Sequence, residues 1–289
     1  MPSVPFTLLD VFAVRPLEGT LHAVVDEADG IGTQAMATLA RRLRLPETSF
    51  LQESDSPTAD YRHRIFTIAG EIPFAGHPSL GAGAVWCRRR GRPRADVVQS
   101  TGAGEQRLEV ALDGRSGEVA IHQNPPVFGA ETDAGPLLAG LGLPPGAGHR
   151  ALPPQLVSTG LATLVVPLSD HVALSRIRVD WATLARALAP LTEVTALNCY
   201  VVAQRGGDRW SARCFAQDIG GGEDPATGSA AGPLGAYLRE RVGTQHVVVD
   251  QGVDLGSPSR LTVDTRDGIR VSGTVHLLGE GEMTLPHVA

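Results

Sequence analysis

Apolar and polar residues alternate along most of this chain in short runs, and that pattern predicts β-strands. Clusters of Gly, Pro, Asn and Asp separate the runs and mark turns. The three runs between 96 and 122 are split by hairpin-type turns and indicate an antiparallel meander. In full, the predicted strands cover 7–14, 21–26, 48–51, 61–68, 96–100, 105–112, 118–122, 155–158, 162–167, 196–203, 210–217, 246–250, 260–263 and 269–272.

Four other segments have the periodicity or composition of helices. Apolar residues recur at helical spacing over Thr33–Leu43 and Trp181–Leu188, and Thr33 stands where its hydroxyl could cap the first helix. Residues 78–86 and 230–238 are rich in Gly and Ala, which lets a sheet approach a helix closely. The fold class predicted is α+β, with mostly antiparallel sheets wrapped around these two small-residue helices.

An eight-residue motif occurs twice. Residues 70–77 (GEIPFAGH) and 222–229 (GEDPATGS) share Gly, Glu, Pro and Gly at the same offsets, and each copy follows Arg-x-Phe and precedes a small-residue helix. Because a helix start carries unpaired N–H groups and partial positive charge, two such loops facing each other would bind an anion. A chance match between two Gly-rich turns is the alternative. The prolines of Asn124-Pro125-Pro126 mark the most plausible domain boundary.

Composition excludes several classes of protein. Hydrophobic content of 42% and charged content of 19% are those of a globular protein, and a net charge of −6 argues against nucleic-acid binding. All 25 basic residues are Arg, so neither a pyridoxal phosphate Schiff base nor a P-loop can be built. We see neither a signal peptide nor an apolar run of about 18 residues, and expect a cytoplasmic protein without membrane contact.

Cysteine and histidine spacing gives no sign of a metal site. Cys87, Cys199 and Cys214 form no C-x-x-C pair and are expected to be buried, reduced thiols. The nine histidines show no metal-ligand spacing. Neither Gly81-x-Gly83 nor Gly102-x-Gly104 stands between a strand and a helix start, so a dinucleotide fingerprint is not supported.

The two copies of the motif differ at positions that could carry chemistry. His77 in one copy corresponds to Ser229 in the other, and Ile72 corresponds to Asp224. The alternative is structural, since His77 and Ser229 could cap helices and Asp224 could form a turn before Pro225. A Ser-His-Asp hydrolase is disfavoured because no Gly-x-Ser-x-Gly elbow is present.

These motifs resemble the PhzF (phenazine biosynthesis-like) family of the diaminopimelate epimerase fold superfamily. The resemblance rests on Ala-Gly-His-Pro at 75–78, Glu-Asp-Pro-Ala-Thr-Gly-Ser-Ala at 223–230, Pro-Leu-Glu-Gly at 16–19, Glu-Thr-Ser-Phe at 47–50 and Gln-Gly-Val at 251–253. It implies two similar domains of sheet around a central helix, with the active site between them. The domains would be 1–124, joined by a last strand within 278–289, and 125–277. It also implies a cofactor-free isomerase that forms a homodimer.

The resemblance also implies roles for individual residues. Glu47 would be the acid/base, although its local sequence alone indicates a surface residue. His77 and Asp224 match the family's other catalytic positions, and Gly76, Gly228, Ser229 and Ala230 match its substrate-binding loops. Related epimerases use one cysteine from each loop as acid and base. No cysteine of this chain lies in either loop, so a hydrogen shift carried by one carboxylate is expected instead of two-thiol racemisation.

One departure concerns the substrate. After Gly19 the family commonly has Asn-Pro, whereas this chain has Thr20-Leu21-His22. Thr20 then takes the substrate-binding position, and His22 is expected to help recognise a different small carboxylate. Three alternatives remain: a non-catalytic anion-binding protein, an epimerase or racemase of a related substrate, and a structural or partner-binding protein.

Overall fold

The computed structural model describes residues 3–191, 197–216 and 222–284. Positions 196 and 217, where two predicted strands begin and end, and positions 285–289 of the last predicted strand lie outside these residues. The six α-helices are α1 (Thr33–Leu43), α2 (Gly76–Arg89), α3 (Ala134–Gly140), α4 (Val172–Ser175), α5 (Trp181–Leu188) and α6 (Gly228–Val242). The seventeen strands are β1 (Ser3–Val11), β2 (Thr20–Val25), β3 (Thr48–Gln52), β4 (Tyr61–Phe66), β5 (Glu71–Ile72), β6 (Arg94–Thr101), β7 (Gly104–Asp113), β8 (Ser116–Gln123), β9 (Val127–Glu131), β10 (Gln155–Ser158), β11 (Ala162–Leu168), β12 (Leu197–Gly206), β13 (Arg209–Phe215), β14 (Glu223–Asp224), β15 (His246–Gln251), β16 (Ser259–Asp264) and β17 (Ile269–Thr284).

Eight strands close into a ring around α2. The ring runs β1, β2, β3, β4, β6, β7, β8 and β17, and β17 pairs back with β1. Helix α2 contacts every strand of this ring and is buried from Gly76 to Cys87. Only β2–β3 and β4–β6 are parallel, and each of these pairs is joined by a crossover that contains a helix, as parallel strands require. The predicted α+β class is confirmed.

The second half of the chain repeats the order of strand pairing. Strands β10, β11, β12, β13, β15, β16 and β17 pair in that sequence, and β11–β12 and β13–β15 are the parallel pairs. The short β14 pairs with β13 as β5 pairs with β4. Helix α6 packs against β10, β11, β15, β16 and β17 and is buried from Gly228 to Leu238. A separate apolar cluster lies between α3, α4, α5 and strands β11 and β12.

Three details differ from the sequence prediction. The last strand is one element, β17, and not two, because its first part pairs with β8 and β16 while its later part, from Val275, pairs with β1. Strands β5, β9 and β14 and helices α3 and α4 were not predicted, since each is short and α3 is set by an Asp133 cap. The cap of α1 is Gly32, and the Thr33 hydroxyl instead accepts a hydrogen bond from Arg64 at 3.0 Å.

The expectation for the cysteines agrees with the structure. The three cysteines are free and buried. Arg88 and Arg89 lie in the last turn of α2, as expected of cations at a helix C-terminus. Within the described ranges no helix is both long and apolar enough to cross a membrane.

Candidate active site

The two copies of the repeated motif meet at their second glycines. A Cβ placed on Gly76 would stand 2.6 Å from the Cα of Gly228, so the two backbones are in direct contact. Gly76 and Gly228 are the first residues of α2 and α6, which makes this the junction of two helix N-termini. The first N–H groups of a helix have no intrahelical acceptor, and here they belong to Gly76, His77, Gly228 and Ser229.

Glu47 lies beside His77 at this junction. It precedes β3, is only 7% exposed, and its Oε2 is 3.1 Å from Nε2 of His77. The angles at these two atoms do not meet hydrogen-bond geometry, so the contact is a close ion pair. The local sequence alone indicated a surface position for Glu47, and that reading is wrong. Tertiary contact with α2, thirty residues further along the chain, buries this carboxylate.

Asp224 approaches from the other half of the chain. Its carboxylate accepts hydrogen bonds from the Thr227 hydroxyl at 2.7 Å and from the Ala226 N–H at 3.3 Å, so it does form the predicted turn. The buried Gln251 holds this turn by donating to the Asp224 carbonyl at 2.8 Å and to the Thr227 hydroxyl at 2.9 Å. Asp224 is therefore a turn residue whose carboxylate is also buried near His77.

The charges of these three side chains are coupled. Burial lowers the pKa of His77, but the carboxylates of Glu47 and Asp224 and the Ala226 carbonyl outweigh burial, and the net shift is upward. Burial raises the pKa of Asp224, and the neighbouring Glu47 adds to this while His77 opposes it. The raised pKa of His77 favours its imidazolium form beside Glu47 and Asp224, so the junction combines titratable side chains with two helix N-termini.

Ser229 has a partner that sequence reasoning missed. Asn198 Nδ2 donates to Ser229 Oγ at 3.4 Å, and both residues are buried. The strand register could have identified Asn198. Thr48 pairs with Phe66 and Cys199 pairs with Phe215, the last residues of the two Arg-x-Phe motifs, so Asn198 occupies in its half the place of Glu47.

The helix-capping alternatives are wrong. The N-cap residues are Ala75 and Thr227, and neither His77 nor Ser229 makes a capping bond. Ala230 lies at 0% exposure and its N–H donates to the Thr227 carbonyl at 3.0 Å, so this N–H is already paired. Thr20 is buried on β2, and its hydroxyl has no partner among the described residues.

His22 lies behind the junction. Its ring centroid is 5.3 Å from that of His77 in an edge-to-face arrangement, and its Nε2 is 2.8 Å from the Ser49 hydroxyl. Both His22 and Ser49 are at 0% exposure. His22 therefore contacts a candidate catalytic residue from the interior of the ring.

The cysteine thiols are poorly suited to acid–base chemistry. Burial raises the pKa of Cys199 to about 12 and that of Cys87 to about 11, so neither thiol ionises near neutral pH. Across the part of the chain that the structure describes, no three His, Cys, Asp or Glu side chains are arranged to hold a metal ion.

Known proteins resemble this chain over nearly its whole length. The profile of the family described as phenazine biosynthesis-like protein matches residues 9–283. A trans-2,3-dihydro-3-hydroxyanthranilate isomerase of Pseudomonas aeruginosa is 33% identical over 96% of this chain and 95% of its own. An uncharacterized isomerase of Deinococcus radiodurans is 30% identical over 97% of this chain and 94% of its own.

Solved structures show the same likeness. A predicted epimerase from Pseudomonas aeruginosa superimposes with a TM-score of 0.84 at 36% identity, covering 97% of this chain and 99% of its own. A PhzF-family phenazine biosynthesis protein from Bacillus anthracis gives 0.83 at 25% identity, covering 98% and 100%. A hydroxyproline epimerase from Agrobacterium vitis shares the fold, with a TM-score of 0.64 at 12% identity, 97% and 92% covered. The chain belongs to the PhzF, or phenazine biosynthesis-like, family, and its curated relatives include named isomerases.

Proposed function

We propose that this protein is an isomerase that shifts a proton within a small unsaturated carboxylate, with Glu47 as the proton carrier. The observation that carries the proposal is the buried Glu47–His77 pair, 3.1 Å apart, beside the abutting N-termini of α2 and α6. The helix ends would bind the substrate carboxylate through the N–H groups of Gly76, His77, Gly228 and Ser229, with the Ser229 hydroxyl as a further contact.

We also infer two structurally similar domains with the site between them. The first would comprise 1–124 together with the end of β17 in 278–289, and the second 125–277. Seven strand pairings that recur in the same order and orientation support this division. Further support comes from the contact between Gly76 and Gly228, because it brings one helix end from each half to a common point.

The proton shift needs no group beyond these side chains. Glu47 takes a proton from an sp³ carbon next to a C=C bond, and the released electron pair forms a new C=C bond to the middle carbon. The old C=C pair moves to the far carbon, which takes the proton back from Glu47. The imidazolium of His77 stabilises the negative charge that develops, and Asp224 holds the charge on that imidazolium.

The difference between the halves favours this one-base route over racemisation. A two-base racemase needs a titratable group on each side of the carbon. Here Asn198, which does not titrate, stands in the position that corresponds to Glu47, and Ser229 corresponds to His77. A non-catalytic anion-binding protein would need no buried base beside its anion site.

The named relatives act on trans-2,3-dihydro-3-hydroxyanthranilate. Thr20-Leu21-His22, in place of the family's usual Asn-Pro, favours another carboxylate of this class.

The test is proton NMR of candidate unsaturated carboxylates in D₂O, comparing wild type with Glu47→Gln. Glu47→Gln should lower turnover by roughly 10²–10⁴-fold, the usual contribution of general acid–base catalysis. Ligand binding should persist, because the anion contacts are on the helix ends. Glu53→Gln makes the same chemical change at an exposed position nearby and should turn over normally. Wild-type turnover by Glu47→Gln would refute the mechanism.

The proposed assembly is a homodimer in the cytoplasm. Its support is the family membership, and its check is light scattering. A mass near that of the 30.3 kDa chain at micromolar concentration would contradict the dimer.

A further inference from the structure

Behind His77, five buried side chains form one connected polar chain inside the eight-stranded ring. His22 Nε2 is 2.8 Å from Ser49 Oγ, which is 2.6 Å from His63 Nε2. His63 Nδ1 is 3.0 Å from Gln99 Oε1, and Gln99 Nε2 is 2.9 Å from Ser79 Oγ. We call this set the polar chain. All five residues are at most 2% exposed.

The direction of every hydrogen bond in the polar chain follows from its last acceptor, once His63 is taken as neutral because burial lowers its pKa to about 4. Ser79 lies 2.8 Å from the Ala75 carbonyl, which can only accept, so the Ser79 hydroxyl donates there and must accept from the Gln99 amide. Gln99 then presents its oxygen to His63, whose Nδ1 carries the proton. His63 Nε2 accepts from the Ser49 hydroxyl, and Ser49 accepts from the Nε2–H of His22.

Two neutral imidazoles of opposite tautomer satisfy this order. His22 carries its proton on Nε2 and His63 carries its proton on Nδ1. Burial lowers the pKa of His63 to about 4. Burial, with the nearby His77 and His63, holds the pKa of His22 well below its usual value, although the Glu47 carbonyl opposes this. Nδ1 of His22 is then a bare acceptor without a partner in the described residues.

Both ends of the polar chain reach the same turn of α2. One end is the His22 ring, edge-to-face with His77. The other is the carbonyl of Ala75, the N-cap of the helix that begins Gly76-His77. We propose that His22 is a positioning residue for His77, and that the polar chain holds its ring in one neutral tautomer against the His77 imidazole. This role rests on the proposed function, whereas the two tautomers do not.

The physical reason for such a device is the closeness of two imidazoles. Two cations 5.3 Å apart in a buried site would repel strongly, so one of the rings must stay neutral. Glu47 and Asp224 face His77 and favour its cation, while the polar chain gives His22 an acceptor for one proton only. The proton is thereby assigned to His77.

The experiment is long-range ¹H–¹⁵N correlation NMR on histidine-labelled protein near neutral pH, with no substrate. We expect His22 as the Nε2–H tautomer, His63 as the Nδ1–H tautomer, and His77 protonated. In Ser49→Ala, which removes the hydroxyl between the rings, His22 should become a mixture of tautomers and the His77 signals should shift. Ser49→Thr keeps a hydroxyl and should restore both. Ser116→Ala is the matched control. It removes a serine hydroxyl that lies 2.7 Å from His276 at the start of β8. The other end of β8 reaches the junction, where Gln123 bonds to the Gly228 carbonyl, so the His77 signals should stay unchanged.

Turnover gives a second readout once a substrate is known. Ser49→Ala should lower kcat about 10-fold or more, as a misplaced catalytic group does, while KM stays within about 2-fold. Equal tautomers for His22 and His63, a cationic His22, or unchanged His77 signals and kcat in folded Ser49→Ala would each overturn the proposal. If the tautomers are as assigned but Glu47→Gln keeps full turnover, the proposed function fails and the tautomer assignment stands. If Ser49→Ala does not fold, the wild-type tautomers still decide it.

Discussion

Replacing Gly76 by Ala tests whether the contact between the two helix ends builds the site. Helix propensity alone predicts stabilisation, since Ala exceeds Gly by up to about 1 kcal/mol within a helix. The structure predicts the opposite. The new Cβ would lie 2.6 Å from Cα and C of Gly228 and from N of Ser229. All three are backbone atoms, so no side-chain rotation can relieve the clash.

The size of the effect follows from this geometry. Non-bonded carbons rest at about 3.5–4.0 Å, so the two helix ends must separate by about 1 Å. Overpacking of this kind costs about 1–3 kcal/mol, so after a propensity gain of about 1 kcal/mol the net loss should reach about 2 kcal/mol. Since a 1 Å misplacement can cost about 10²-fold in rate, activity should fall by that order.

The assay is urea unfolding together with turnover, and Gly30→Ala is the matched control. Gly30 is exposed, and an added Cβ there meets no atom within 4 Å. Gly30→Ala should therefore stay within about 0.5 kcal/mol of wild type and keep full activity. A Gly76→Ala variant as stable and as active as wild type would show that the helix ends are not fixed by contact. Equal losses of stability and activity in both variants would show that any Gly→Ala change has this effect, whether or not the helix ends are in contact.

Two further predictions concern the buried titratable groups. Since the pKa of His63 is about 4 when folded and 6.5 for the free side chain, the unfolded state binds its proton first as pH falls. The free energy of unfolding should therefore fall by about 3 kcal/mol as the pH is lowered from 6.5 to 4. Urea unfolding of His63→Gln should show a smaller fall over the same range. The thiols of Cys87 and Cys199, with pKa values of about 11 and 12, should resist alkylation in the native protein and react only on unfolding. Rapid native labelling of Cys199 would contradict its burial.

Local patterns predicted the elements that depend on local physics. Helices α1 and α5 begin and end where the periodicity of Thr33–Leu43 and Trp181–Leu188 does. The division of β17 was mispredicted because Ser272-Gly273 resembles a turn. The strand continues there because Gly273 lies against Phe12, where a Cβ would be 2.3 Å from the ring. Only tertiary packing contains that information.

The residues of the candidate site also differ in whether local sequence or tertiary packing identifies them. His77 and Asp224 could be selected from the repeat, because they are polar residues at positions where the two Gly-rich loops differ. Glu47 could not, since its burial depends on an ion pair with a residue thirty positions away, and only family resemblance identified it. Asn198 and the polar chain depend on strand register and on hydrogen bonds between distant strands, which no single segment of sequence encodes.

The repeated loops indicate how one backbone arrangement can carry unequal chemistry. Both halves have glycine at the first helical position because the backbones touch there, and a Cβ on Gly76 would stand 2.6 Å from the backbone of Gly228. The following position has no such constraint, and it is His77 beside Glu47 in one half and Ser229 beside Asn198 in the other. The N–H groups proposed to bind the anion are thus set by the fold, whereas the proposed base belongs to one half only. The substrate's orientation relative to Glu47 should then depend on which half of the chain binds its carboxylate. If the half with Ser229 binds it, Ser229→Ala should weaken substrate binding more than it lowers turnover.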